Sequence, residues 1–165
     1  MHRRASRRPP RAARHVHSLI LAGGEGSRLA ADGLTIPKAL VDVAGRPQLL
    51  RLVEQLTALG CESITCMLRD DSYDFLRRHD AFSCIASLAE VVPCHTPSSL
   101  HTFVDGLAHV PAGNVFTSMV DSVMSPNDWR MVYDAAARHL AAGADAVLAV
   151  TPAQDDDAPL WVATD

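Results

Sequence analysis

Runs of apolar residues without polar alternation recur along this chain, and between them apolar positions fall at helical spacing. Residues 17–21 form the first run, and 63–68 and 115–120 repeat the pattern, so each predicts a strand buried on both faces. Residues 47–59 predict a helix with Leu49, Val53, Leu56 and Leu59 on one face and Gly60 as its stop. Residues 72–79 predict a short charged helix, and 99–108 another. A short extended piece is expected over 39–43, and a strand near 89–93 within an ambiguous stretch, 80–95. The next helix is well signed: Ser125 suits an N-cap, Pro126 the first helical position, and Asp128 the positive helix end. Trp129, Val132, Tyr133, Ala136 and Leu140 then recur at helical spacing, Gly143 closes the helix, and 146–150 predicts a further apolar strand.

Apolar strands separated by helices imply a mostly parallel sheet covered on both faces, a three-layer α/β/α sandwich of Rossmann-like type. Ligands of such sheets sit beyond the carboxyl ends of strands. The glycine loop that follows residue 21 and Asp121 both fall at such ends. The chain shows no internal repeat and no inter-domain linker. A last apolar run, 160–164, begins just before the chain stops, which predicts a sheet incomplete at its C-terminal edge.

Charge divides the chain unevenly. Residues 1–17 hold six arginines and no acid, whereas the remainder holds nine basic and nineteen acidic side chains. The acidic body argues against nucleic acid as a partner. The Pro-Arg composition predicts a disordered basic tail over 1–15, with one domain over 16–165; a targeting peptide or phosphate-binding arm is the alternative for the tail. No apolar run approaches the roughly 20 residues that span a bilayer, so no membrane partner is expected. The four cysteines show no C-x-x-C spacing, which suits buried thiols in a reducing cytoplasm.

The densest chemistry lies in residues 22–47. Gly23, Gly24 and Gly26 let backbone N–H groups approach phosphate oxygens without a side chain in the way. Walker A is excluded, because no lysine follows the loop directly, and the dinucleotide fingerprint would need glycine where Leu29 stands. Arg28 follows the last glycine by two residues, and Lys38 follows Arg28 by ten. Two fixed cations beside a polyphosphate lower the barrier to attack on phosphorus by offsetting its developing charge. Pro37 stiffens the chain just before the lysine.

Gly23-Gly24-Glu25-Gly26-Ser27-Arg28-Leu29, then Leu34-Thr35-Ile36-Pro37-Lys38, then Gly45-Arg46-Pro47, resemble the signature of the sugar-phosphate nucleotidylyltransferases. Alanine stands at position 31, where that family often has proline. The related molybdenum-cofactor guanylyltransferases and isoprenoid cytidylyltransferases use a shorter arginine-to-lysine gap and fit less well. The resemblance is specific over 22–47 and loose over the rest of 16–165. It implies the nucleotide-diphospho-sugar transferase fold and assigns nucleotide binding to Leu21, Ala22, Gly23, Gly24, Gly26 and Ser27. It assigns catalytic charge to Arg28 and Lys38. Residues 96–102 fall where the family has a G-T-A-x-A segment near the base, which adds Ser98 and Ser99, although the glycine and the Thr-Ala pair are absent and a helix cap by Ser98 is the simpler alternative. The strand ending at Asp121 looks like the family's Mg²⁺-holding element, with Val120 in place of the usual glycine.

The expected function is therefore Mg²⁺-dependent transfer of a nucleoside monophosphate from an NTP to a sugar 1-phosphate or similar phosphate, releasing pyrophosphate. NTP and sugar phosphate are the expected partners, and a homo-oligomer is compatible with the reading. The rival is a non-catalytic nucleotide-binding module or a truncated remnant, motivated by the early chain end. Glu90, Asp105 and Asp145 read as solvated or capping residues, and His101 and His109 as surface or packing residues. The absence of G-x-S-x-G, H-E-x-x-H and zinc spacing leaves hydrolase and zinc-enzyme readings without support.

Overall fold

The computed structural model describes residues 15–24, 33 and 35–150. Four strands form one wholly parallel sheet in the order β3-β2-β1-β4: β1 Val16–Ala22, β2 Ser63–Arg69, β3 Glu90–Cys94 and β4 Asn114–Met119. Among the described residues five helices connect or follow them: α1 Gln48–Leu59, α2 Asp70–Leu76, α3 Phe82–Leu88, α4 Ser99–Leu107 and α5 Pro126–Ala141.

The strand order explains the layers. Parallel strands joined by right-handed crossovers place the connections on one face while the chain moves one way across the sheet, and on the other face when it turns back. The chain runs outward from β1 to β2 to β3, then returns past both to β4. Helices α1 to α3 therefore take one face and α4 the other, which gives the expected α/β/α sandwich.

β1 sits between β2 and β4, and Leu19 and Ile20 are fully buried on its two faces. Leu19, Leu21, Met67 and Cys94 cluster with Phe103 of α4. There Gly106 lets α4 approach the sheet closely, because a Cβ at that position would lie 2.7 Å from Leu19 and 2.9 Å from Met67. The apolar stripe of α1 is buried as its spacing predicts, and Gly60 ends the helix at φ 91°. Leu50 and Leu52 of α1 are buried too.

Several local expectations are corrected. Residues 39–43 are extended only in part: Lys38–Leu40 forms a 3-10 turn, anchored by buried Ala39 and Leu40, and extended backbone begins at Val41, with Asp42 bridging Pro47. The short helix starts two residues earlier than expected and ends at Leu76. The ambiguous stretch resolves into α3 and β3. Residues 146–150 are not a strand; Val147, Leu148 and Val150 are exposed, and no neighbour among the described residues shares a ladder with them. An apolar run becomes a strand only where another backbone takes up its N–H and C=O groups. The expectations for the basic tail, for residues 25–32 and for the run 160–164 lie outside the described residues.

The chain forms two compact units, the first ending at Met124 and the second beginning at Ser125. The second carries α5, whose start follows the sequence signs: the Asp128 backbone N–H donates to Ser125 Oγ at 3.2 Å, and the Ser125 hydroxyl donates to the Asp128 carboxylate at 2.7 Å. Pro126 opens the helix, and Gly143 follows its end at φ 108°.

Candidate functional site

A small cleft of about 70 Å³ opens at the carboxyl ends of β1 and β4. These two strands lie side by side where the chain's direction across the sheet reverses, the usual crevice for ligands in such sheets. Leu21, Ala22 and Gly24 reach it from β1, Lys38 from the 3-10 turn, and Asp121 from just past β4.

Lys38 and Asp121 are 83 residues apart in sequence, and in the fold the Lys38 ammonium donates to the Asp121 carboxylate. Pro37 enters the turn extended, at φ −53° and ψ 139°, and the buried residues after Lys38 hold its backbone down while its side chain stays free to reach. Asp121 is held from the other side. The Val120 N–H donates to the Leu21 carbonyl at 3.0 Å, extending the pairing of β4 with β1, and the Ser122 N–H closes a turn on Met119 at 3.2 Å.

Gly45 and Arg46 belong to a tight turn over residues 43–46. Ala44 and Gly45 both have positive φ, 55° and 83°. The Val43 N–H donates to the Arg46 carbonyl at 2.8 Å, and the Gly45 N–H to the Asp42 carboxylate at 2.7 Å. Two positive φ values in a two-residue loop mark the mirror-image turn that suits hairpins, in which glycine relieves the second position.

Gly23 is tightly packed just past β1. A Cβ there would lie 2.7 Å from Thr102 Oγ1 and 3.4 Å from Cys94 Sγ, so the backbone at Gly23 lies close against α4 and β3. Nothing comparable crowds Gly24. Thr102 is buried, donates to the Ser98 carbonyl at 3.1 Å, and shares a hydrogen bond of 2.5 Å with Thr96. Ser98 caps α4 by accepting from the His101 N–H at 3.5 Å, and its hydroxyl pairs with His101 Nδ1 at 2.8 Å. Ser98 and Ser99 are exposed, and neither they nor Gly23 line the cleft, which Gly24 reaches instead. Arg28, Gly26 and Ser27 lie outside the described residues.

Burial holds the nearby thiols protonated. The Cys94 thiol is pushed up by burial and then by Asp70 and Asp105, and the Cys66 thiol by burial and then by Cys94. Neither offers a thiolate nucleophile near neutral pH.

The donor set fits a hard divalent cation of one kind. Among the described residues there is no cluster of three or more metal-ligating side chains. Among the described residues that line the cleft, Asp121 presents a part-exposed carboxylate, one oxygen of which meets Lys38. Mg²⁺ commonly takes one or two protein carboxylates, with substrate phosphates and waters as its other ligands. Sequence reasoning missed Ala39, Ser72, Met119 and Val120, which also line the cleft. Ser72 follows the carboxyl end of β2, so the strand-end rule that found Gly23 and Asp121 reaches it as well.

A parallel sheet with Gly23 and Gly24 just past β1, and a lysine and an aspartate paired at the neighbouring strand end, is an α/β domain with a strand-end cleft. Residues 18–164 match the MobA-like NTP transferase domain, and the chain belongs to that family. It is 49% identical over 49 residues to a mannose-1-phosphate guanyltransferase of Aspergillus oryzae, a match covering 30% of this chain and 14% of that protein. It is 37% identical over 84 residues to a bifunctional IPC transferase and DIPP synthase of Aquifex aeolicus, covering 48% of this chain and 18% of that protein. These matches thus span under a fifth of either relative's length. Among solved structures, a nucleotidyl transferase from Methanothermobacter thermautotroptrophicus superimposes with a TM-score of 0.58 at 16% identity, over 73% of this chain and 57% of that one. That likeness supports the nucleotide-diphospho-sugar transferase fold.

Proposed function

We propose that this chain carries the donor half of a nucleotidyltransferase site and transfers a nucleoside monophosphate from an NTP to a sugar 1-phosphate or similar phosphate. The observation that carries this reading is the meeting of Lys38 and Asp121 beside the loop at Gly23 and Gly24. One residue is suited to a phosphate and the other to a cation.

The acceptor phosphate is already an anion, so no protein nucleophile is needed. One of its oxygens forms a bond to the α-phosphorus, in line, as the bond from that phosphorus to the pyrophosphate oxygen breaks. Lys38 leaves its carboxylate partner for the phosphates and offsets negative charge there, and Arg28 is assigned the same task. The backbone after β1 binds the triphosphate, and Asp121 is the residue that would hold Mg²⁺. When bound, Mg²⁺ supplies charge neutralisation at the phosphate oxygens. The free cysteines, Cys61, Cys66, Cys84 and Cys94, suit a reducing cytoplasm, where NTPs are plentiful. The likeness to a guanyltransferase puts GTP first among the four nucleotides to try.

The test is pyrophosphate release from each of four NTPs with Mg²⁺ and a set of hexose 1-phosphates. Release that requires both substrates supports the reading. Nucleotide binding with no release from any pair would instead make the chain a non-catalytic binding module.

A further inference from the structure

One residue joins the backbone segments that carry Lys38 and Asp121. Gln48 is the first residue of α1 and is 6% exposed. Its backbone N–H donates to the Val41 carbonyl at 3.0 Å, three residues after Lys38. Its side-chain nitrogen donates to the Val120 carbonyl at 3.1 Å and to the Ser122 carbonyl at 3.4 Å. Those carbonyls flank Asp121. Because carbonyls only accept, the amide must turn its NH₂ toward them.

The three peptide planes around Asp121 are then all fixed. Gln48 holds the plane before it and the plane after Ser122, and the Ser122 N–H, bonded to Met119, holds the plane between. One turn pair further along the same helix, Gln55 donates to the Met124 carbonyl at 3.3 Å and secures the end of this loop. The arrangement carries a cost. Gln48 Oε1 is buried with no partner among the described residues, and an unmet buried acceptor disfavours the fold. A leucine or methionine would fill the place without that cost, so the advantage of glutamine lies in its two donors.

We infer that Gln48 is a positioning residue for the proposed reaction: it sets the separation of Lys38 and Asp121 and aims the Asp121 carboxylate at the cation. The inference rests on the nucleotidyltransferase reading. Groups that orient a metal ligand, without touching the metal, typically change metal affinity or activity by about 10–100-fold when removed.

The experiment measures Mn²⁺ binding by paramagnetic resonance in the presence of GTP, on the whole chain, with Gln48→Met and Asp121→Asn beside the unaltered protein. Thermal melts without ligand run in parallel. The expected result is Mn²⁺ binding about tenfold weaker in Gln48→Met, beyond whatever its melting temperature loses with the two carbonyl bonds, and binding lost in Asp121→Asn. A purely structural Gln48 would move the melting temperature and leave Mn²⁺ affinity at the unaltered value, which overturns the inference while the nucleotidyltransferase reading stands. If the unaltered protein itself binds no Mn²⁺ with GTP, both fall. Should Gln48→Met fail to fold, the side-chain NH₂ resonances of Gln48 in the unaltered protein decide: they shift on adding Mg²⁺ with GTP if Gln48 answers to the site, and stay in place if it does not.

Discussion

Lys38 and Asp121 neutralise each other in the fold, and that pairing separates stability from function. Both are around two-fifths exposed, and exposed ion pairs are worth about 0–1 kcal/mol. Lys38→Ala should therefore leave urea unfolding nearly unchanged, while pyrophosphate release falls by about 10²–10³, the usual loss when one charge-stabilising group is removed. A large stability loss would mean the pair is a fold element instead. The two glycines that open the loop divide in the opposite sense. Gly23→Ala forces a Cβ against Thr102 and should cost about 1–3 kcal/mol in urea unfolding. Gly24→Ala meets nothing within 4 Å among the described residues and should stay within about 0.5 kcal/mol. If Gly24→Ala nevertheless abolishes nucleotide binding, the demand at that position comes from the ligand.

At the scale of elements, legibility followed how completely each segment's partners were encoded locally. β1 and β2 were readable because unbroken apolar runs need burial on both faces, and they have it; β4 was readable as a strand, but the expectation of burial on both faces fails there, since Val115, Thr117 and Met119 are exposed. α1 was readable because its buried positions repeat at helical spacing and Gly60 ends it. α3 was not, because Ile85 is its one buried residue and leaves no period to detect. The 146–150 run misled for the converse reason: its apolar character is plain, but a strand also needs a neighbour. Asp121 was legible as a carboxylate at a strand end and Lys38 from its spacing after the glycines and Arg28, whereas Gln48 was not. Its role depends on carbonyls more than 70 residues away, which no local spacing announces. The caps are local and testable. Ser98→Ala should destabilise by about 0.5–2 kcal/mol through the start of α4, and Ser98→Asp, which can also cap, should restore most of it. Nucleotide affinity measured on both variants separates the cap from a contact with the base. If Ser98 touches the nucleotide, Ser98→Asp regains stability without regaining affinity.

For the whole molecule, the buried thiols set a limit at alkaline pH. Burial raises the Cys61 thiol from about 9 to about 11, and burial with Cys94 raises Cys66 as well. The folded state thus holds these protons more tightly than the unfolded chain does. Their contribution is fully present below about pH 9 and is lost as pH rises through the folded values. Thermal melts should show a falling midpoint between about pH 9 and 11, and Cys61→Ala should flatten part of that slope.

The larger arrangement places β1 and β4 side by side where the chain reverses its path across the sheet, so that a loop from one and a carboxylate from the other share a cleft. Isothermal titration of the four NTPs with Mg²⁺ tests that claim most directly, run on the unaltered chain and on Lys38→Ala and Asp121→Asn. The account predicts saturable binding of at least one NTP that weakens at least tenfold in each variant, as expected for lost charge-assisted contacts. Binding that is equally strong in all three proteins would contradict it, because the nucleotide phosphates would then lie somewhere other than between Lys38 and Asp121.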